Sequence, residues 1–322
     1  MHIHRPGVYD RKSVRGARMV EESADGEAGS PKEGKSALVL TWFYAAPKEL
    51  ELVKRIYKRK GYTNVVIQES LVKEIATPRG WYRTYQRFLG ETNEAKDLRE
   101  KLSQNFDIVH CMSGGFLNLG LVIMGMEAAG APFSFKCLVL DSTPIMPQPK
   151  AFVRFARAYM QDHGLELVNK VLPEPVHTAF QTTRWSLGGA YVRAKHKWRT
   201  DKKLRTIGKL PEDTVEDFEE WTRWASHTAM LNRYDNMTSV HIATVFNTPS
   251  TGLKECIFMY NPHDPYLNPE DVERCIQDCK GFGIRTTIKH TDNKHIETLF
   301  RKPNVMFDTV DEALQRSAAV TL

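Results

Sequence analysis

Asp107-Ile108-Val109-His110-Cys111-Met112-Ser113-Gly114-Gly115-Phe116 is the stretch that decides how this chain is read. A short apolar strand runs into a serine, two glycines follow, and a helix-compatible apolar stretch continues from Leu117 to Ala129. Strand, serine, small residues, helix is the order that a nucleophile elbow requires: the serine sits on a strained turn that lifts its hydroxyl clear of the sheet. Strand and helix backbones nearly touch at such a turn, so the positions two before and two after the serine favour small residues. Here they are Cys111 and Gly115, with Cys111 standing where Gly is usual. A Ser-Gly-Gly after a strand is equally the signature of an ordinary tight turn, so the decision rests on what lies downstream.

Two strand-like runs follow late in the chain. Glu255-Cys256-Ile257-Phe258-Met259-Tyr260 ends in Asn261-Pro262-His263-Asp264, and Ile284-Arg285-Thr286-Thr287-Ile288-Lys289-His290 ends in Thr291-Asp292-Asn293-Lys294-His295. The chain order is therefore Ser, Asp, His. That is the order of α/β-hydrolase triads, with acid and base on the loops after the last two strands.

The rest of the chain is compatible with that frame. Apolar runs at Ser36–Trp42, Asn64–Ile67 and Phe135–Leu140 read as buried strands. Helical patterns lie between them, from Pro47 to Gly61 and, capped by Asn93, from Glu94 to Gln104. Residues 71–91 give no clear signal. Alternating β and α segments predict a parallel sheet with crossover helices. The expected fold is α/β-hydrolase-like: a mostly parallel sheet flanked by helices over residues 35–322, with 149–250 as a helical cap inserted after Asp141. In such a sheet ligands bind at the carboxyl ends of the strands. Trp42, Ser113, Asp141, Asp264 and His295 all fall at those ends. Residues 1–34, rich in charge, Gly and Ser, read as a disordered tail.

Composition narrows the function classes. The chain has 322 residues and a formal net charge of +6, enough length for a full core. The longest apolar stretch, from Phe116 to Phe135, is interrupted by Asn118, Glu127 and glycines, and reads as the elbow helix plus a turn rather than a membrane span. The N-terminus lacks the apolar segment of a secretory signal. Five cysteines without framework spacing point to a reducing compartment, and a cytoplasmic location is expected. Cys275 and Cys279, one helical turn apart, read as packed thiols, since no Cys or His pair completes a metal site; neither metal nor other cofactor is expected.

Charge is unevenly spread. Between Lys150 and Leu210 stand thirteen Lys and Arg residues against four acidic ones, interleaved with Trp185, Tyr191 and Trp198. Most such runs are solvated helix faces. A sharper reading is peripheral contact with an anionic membrane, the aromatic residues anchoring at headgroup level. No nucleic-acid-binding motif accompanies the run, and no nucleic-acid partner is expected.

Several motifs in combination resemble the transmembrane protein 53-like family, a domain of unknown function within the α/β-hydrolase superfamily. They are Thr41-Trp42 after the first strand, Arg55-Ile56-Tyr57-Lys58-Arg59-Lys60-Gly61, the His110-Cys111-Met112-Ser113-Gly114-Gly115 elbow, Asp141-Ser142-Thr143-Pro144, Tyr260-Asn261-Pro262-His263-Asp264, and His295-Ile296-Glu297-Thr298-Leu299-Phe300 before Pro303. Thr298 replaces the family's second histidine, and Gly114 its asparagine. The resemblance covers roughly residues 36–316. It implies the α/β-hydrolase fold and, by analogy with members carrying a membrane segment, association with the nuclear envelope or other membranes.

A triad assigns definite roles. Ser113 attacks an ester or other acyl carbonyl, His295 takes and returns the proton, and Asp264 orients the imidazole. The N–H of Gly114 and one in the Trp42-Phe43 turn would hold the oxyanion. Asp141 is the alternative acid, and His290 the alternative base. His110, inside the elbow strand, reads as a packed or supporting histidine. The competing reading is a catalytically inactive scaffold whose cap binds a protein or a membrane, because the fold outlives its chemistry in many lineages. In that case Trp42, Tyr44 or Met112 would fill the site.

Overall fold

The computed structural model of the protein describes residues 34–70, 78–90, 92–143, 149–162, 173–207, 242 and 244–319. The expected tail, apart from Gly34, lies outside the described residues.

Six strands form one sheet: β1 (Lys35–Leu40), β2 (Tyr62–Gln68), β3 (Asn105–Met112), β4 (Ser134–Asp141), β5 (Glu255–Tyr260) and β6 (Arg285–His290). All neighbours are parallel and the order is β2-β1-β3-β4-β5-β6. The chain first steps from β1 outward to β2, then crosses back to place β3 on the other side of β1. That reversal is a topological switch point, and it opens a crevice beyond the carboxyl ends of β1 and β3. Leu40 pairs with Cys111 there, so the turn after β1 lies beside the turn carrying Ser113.

The four central strands are mostly buried on both faces, the outer β2 and β6 much less so, and residues two apart share a face. Leu38, Leu40, Val109, Cys111, Leu138, Leu140, Cys256 and Phe258 pack on one side. There they meet α2 (Pro78–Leu89), α3 (Asn93–Leu102), α4 (Gly115–Ala128) and α7 (Pro269–Gly281), which contribute Phe88, Leu102, Phe116, Ile276 and their neighbours. Ala37, Val39, Ile108, Met112, Cys137, Val139, Ile257 and Met259 face the other side, against α1 (Pro47–Arg59) and α9 (Pro303–Ala319) through Val53, Tyr57, Met306, Phe307 and Val310. All five cysteines are free and buried, including Cys275 and Cys279 on α7.

Local chemistry sets the element ends. Pro47 opens α1, and the Glu49 carboxylate accepts from the Ala46 N–H at 2.7 Å. The helix expected after Asn93 is capped one residue earlier, where Thr92 Oγ1 accepts from the Ala95 N–H at 3.2 Å. Residues 78–89, within the stretch that gave no clear signal, form a helix opened by Pro78. The elbow helix begins at Gly115, two residues earlier than its apolar run predicts.

Two long helices belong to the insertion: α5 (Pro149–Asp162) and α6 (Glu174–Ile207). Phe155 of α5 meets Phe43 edge-on at 5.2 Å, Tyr159 meets Tyr44 at 6.2 Å, and Arg154 Nη1 donates to the Leu267 carbonyl at 3.1 Å. These contacts set α5 across the carboxyl edge of the sheet, between the loops after β1 and β5. Helix α6 packs on α2 and α5. The segments 163–172 and 208–241 and residue 243 of the expected cap lie outside the described residues. Among the described residues, no helix is long and apolar enough to cross a membrane.

The approach of β1 to α4 is a close contact of backbone with backbone. A Cβ added at Gly115 would lie 2.3 Å from the Leu40 carbonyl oxygen, a backbone atom with no freedom to move aside. Gly115→Ala is expected to cost about 1–3 kcal/mol by overpacking. Gly281→Ala is the control: open space surrounds its Cβ position, and the change should be neutral or slightly stabilising, because alanine loses less backbone entropy. Thermal melts of the two variants should therefore move in different directions from wild type.

Candidate active site

Four non-glycine residues have left-handed backbone among the described ones: Tyr44 (φ 63°), Ser113 (φ 52°), Ser142 (φ 53°) and Ile296 (φ 54°). They follow β1, β3, β4 and β6, so the strain is gathered at the carboxyl edge. Side chains with a Cβ avoid this region, at roughly 1–2 kcal/mol per residue, and a β-branched residue such as Ile296 is an outlier there. Strain so concentrated marks a candidate functional site.

Ser113 is turned out of β3 by its left-handed backbone, and its N–H donates to the Asp141 carbonyl at 3.0 Å. Its Oγ lies 2.8 Å from His295 Nε2. His295 Nδ1 lies 2.6 Å from Asp264 Oδ2. A carboxylate only accepts, so the proton of the neutral imidazole sits on Nδ1, and Nε2 accepts from the serine hydroxyl. All three residues are buried, with 1%, 4% and 6% of their surface exposed. The three groups come from loops after β3, β5 and β6 and form one continuous hydrogen-bonded chain.

The loops that carry Asp264 and His295 are themselves fixed. Asp264 Oδ1 accepts the Tyr266 N–H at 3.0 Å. Asn261 Nδ2 donates to the Asn293 carbonyl at 3.0 Å, tying the β5 loop to the β6 loop. Ser142 Oγ accepts the N–H of Ile296 at 2.8 Å, which pins the residue next to His295. The Tyr266 ring stacks on the His295 imidazole, centroids 4.5 Å apart and planes 27° apart.

The alternative residues lie elsewhere. Asp141 is fully buried, but its carboxylate faces Ser142 Oγ, at 3.3 Å from Oδ1, and His110 Nε2, at 3.8 Å from Oδ2. It is not joined to His295. His290 is exposed at the end of β6, with Nε2 3.3 Å from the Tyr260 hydroxyl, and is not joined to Ser113. His110 belongs to a second buried chain: its Nδ1 lies 2.6 Å from the Tyr57 hydroxyl. Burial above all pushes the Tyr57 phenol well above its ordinary range, with nearby Tyr62 and Asp141 adding to the effect. The phenol therefore keeps its proton.

The turn after β1 splits its aromatic residues between the two sides of the sheet. Phe43 packs over Gly114, where a Cβ would lie 2.3 Å from the ring. Trp42 is buried on the opposite side and meets Phe300 edge-on at 5.7 Å. Met112 shares that side, while Tyr44 is 59% exposed. Among the described residues, neither the Phe43 nor the Gly114 amide donates to a backbone carbonyl in these turns. No group of three or more His, Cys, Asp or Glu side chains among the described residues is placed to hold a metal ion.

Two supporting residues escaped the sequence. Ser142 reads there as a turn former beside Pro144, and nothing in its neighbourhood signals a bond to a residue 154 positions away. Tyr266 carries no motif; only its place two residues after Asp264 brings it near the site.

Sheet order, the serine between β3 and α4, and the loops after β5 and β6 together define an α/β-hydrolase fold. No family model matches the sequence, and a search of curated proteins finds no match. Among solved structures, the chain is similar to the Pyrococcus furiosus esterase Pf2001. In one crystal form the identity is 16%, over 88% of this chain and 81% of the esterase, with a TM-score of 0.43. In two further forms the identities are 16% and 15%, with 88% of this chain and 82% and 84% of the esterase covered and TM-scores of 0.37 and 0.40.

Ser142 gives the site a stability test. Ser142→Ala keeps the left-handed strain and leaves the buried Ile296 N–H without its acceptor, at about 1–3 kcal/mol. Ser142→Gly loses the same bond but relieves the strain, so it should be the more stable variant by roughly 1 kcal/mol. Chemical denaturation of both variants checks the order.

Proposed function

We propose that the protein is a serine hydrolase acting on an ester or other acyl substrate, with Ser113 as nucleophile, His295 as base and then acid, and Asp264 as the group that orients the imidazole. The observation that carries this reading is the unbroken hydrogen-bonded path from Asp264 through His295 to Ser113. As Ser113 Oγ attacks the carbonyl carbon, its proton passes to His295 Nε2. The carbonyl electron pair moves to oxygen, and the N–H of Gly114 and one of the Trp42-Phe43 turn would donate hydrogen bonds to that oxyanion. Collapse breaks the bond to the leaving alcohol, which takes the proton from Nε2 and leaves an acyl group on Ser113. Water then attacks that acyl group, giving its proton to Nε2; the second collapse returns the proton to Oγ and releases the acid.

On this reading the insertion of residues 149–250 acts as a cap over the site. Helix α5 supports it, since Phe155 and Tyr159 adjoin Phe43, Tyr44 and Tyr266. An aromatic wall beside the nucleophile favours a substrate with an apolar acyl or alcohol portion and helps to exclude water. Neither the fold nor these contacts call for a cofactor. The motif resemblance to the transmembrane protein 53-like family points to the same superfamily.

Hydrolysis of p-nitrophenyl acetate tests the roles. Ser113→Ala and His295→Ala should each lower kcat/KM by roughly a thousandfold or more, because members of such a set act as a unit. His290→Ala and Asp141→Asn should leave the chemistry of a folded protein in place. A damaging His290→Ala with a harmless His295→Ala would overturn the assignment of the base.

A second reading, peripheral contact with an anionic membrane, is favoured by the surface of α6. Val176, Phe180, Leu187, Tyr191 and Trp198 are exposed. Their spacing puts them within about 60° on one helix face, over roughly 33 Å of its length. The helix sequence from Arg184 to Arg205 carries eight Lys and Arg residues and one Asp. Trp185, expected with Trp198 as an anchor, has its side chain outside the described residues. Each cation near an anionic surface contributes about 1 kcal/mol. The protein should co-sediment with phosphatidylserine vesicles at low salt and lose binding when Lys195, Lys197, Arg199, Lys202 and Lys203 are neutralised together, while esterase activity on a soluble substrate persists. Absence of co-sedimentation at low salt would contradict it.

A further inference from the structure

We propose that Tyr266 is a positioning residue that fixes the plane of the His295 imidazole and ties it to helix α5 through Asp162, so that the base is aligned only while α5 is docked. The inference rests on the reading of His295 as the base.

Two hydrogen bonds lie in the plane of the imidazole: Nδ1 to Asp264 and Nε2 to Ser113. Both lie close to one line through the ring, so neither resists rotation of the ring about that line. A group packed on the face supplies the missing restraint. Tyr266 is that group, with its ring 4.5 Å from the imidazole centroid at 27°.

Tyr266 is held at both ends. Its N–H donates to Asp264 Oδ1 at 3.0 Å, so the residue that orients His295 Nδ1 also anchors the ring that covers its face. Its hydroxyl donates to Asp162 Oδ2 at 2.5 Å, at the last residue of α5. Phe155 of α5 packs on the same ring at 5.5 Å, and Arg154 of α5 donates to the carbonyl of the next residue, Leu267. Three neighbouring contacts thus strap α5 to the segment that carries the acid. A displacement of α5 pulls on the Tyr266 ring before it reaches either end of the serine–histidine–aspartate chain.

The test uses full-length protein and four variants. Tyr266→Phe keeps the ring and cuts the strap; Asp162→Ala cuts it from the other side; the double variant combines them; Tyr266→Leu removes the aromatic face. The first readout is the far-downfield proton resonance of the His295 Nδ1–H, which reports its bond to Asp264 and needs no catalysis. It should be sharp in wild type, broadened in Tyr266→Phe and Asp162→Ala, and lost in Tyr266→Leu. The second readout is the rate constant for labelling of Ser113 by an alkyl fluorophosphonate. Tyr266→Phe and Asp162→Ala should lower it by the same factor of about 3–10, the double variant should be no slower than either alone, and Tyr266→Leu should lose about 10–100-fold, as misplacement of a reacting group by about 1 Å does. Additive effects of Tyr266→Phe and Asp162→Ala, or an unchanged resonance in Tyr266→Leu, would overturn the proposal. Wild-type protein that never labels would count against the hydrolase reading instead, and the resonance alone would then decide whether Tyr266 fixes the ring.

Discussion

The close approach of β1 to the start of α4 is the constraint on which the site depends. Gly115 lies so near the Leu40 carbonyl that a side chain there must displace backbone, and a side chain at Gly114 must displace the Phe43 ring. Beside this approach Ser113 takes its left-handed conformation at the end of β3. Parallel pairing of β1 with β3 brings the turns after these strands together, and that pairing follows from the reversal of strand order at β1. The crossover sets the crevice, the glycines close it, and the serine occupies it.

The strained turns hold one another in place. Ile296 is left-handed and β-branched, an unfavourable combination, yet its N–H is fixed by the hydroxyl of Ser142, itself left-handed. Ser142 in turn faces the Asp141 carboxylate, and Asp141 lies over the His110–Tyr57 pair. A second buried polar chain thus runs beneath the base loop and meets the first at the Ser142–Ile296 bond. Its groups are too deep for substrate. They support the Ser142–Ile296 bond, a structural task for Asp141 at a strand end that would also suit an acid.

Much of this was legible in the sequence, and the reason is local. Buried parallel strands are continuous apolar runs, so β1, β3, β4 and β5 announce themselves, and the elbow is a strand, a serine and two glycines in succession. Asp264 and His295 stand out because each follows a strand directly. Helix α2 was obscure although Trp81, Tyr85, Phe88 and Leu89 recur at helical spacing, because the stripe is mostly aromatic, a composition that suits strands as well. The cap on α3 fell one residue from its expected place because Thr92 and Asn93 are both good caps. Ser142 and Tyr266 could not be found this way. Their parts are played across 154 and 104 positions of sequence, with Ile296 and Asp162, and a long-range hydrogen bond leaves no periodic trace. Chain order pointed to Asp264 and His295, whose side chains lie on one hydrogen-bonded path to Ser113; it could not tell that Asp141 faces a different histidine.

The account's central claim is that Ser113 carries an activated hydroxyl facing an oxyanion site. Peptide mapping and a crystal structure after reaction with an alkyl fluorophosphonate test it most directly. The account predicts a single phosphonyl group on Ser113 Oγ, its phosphoryl oxygen accepting hydrogen bonds from the Gly114 amide and an amide of the Trp42-Phe43 turn. A folded protein that takes up no label, or carries it on a different residue, would contradict it.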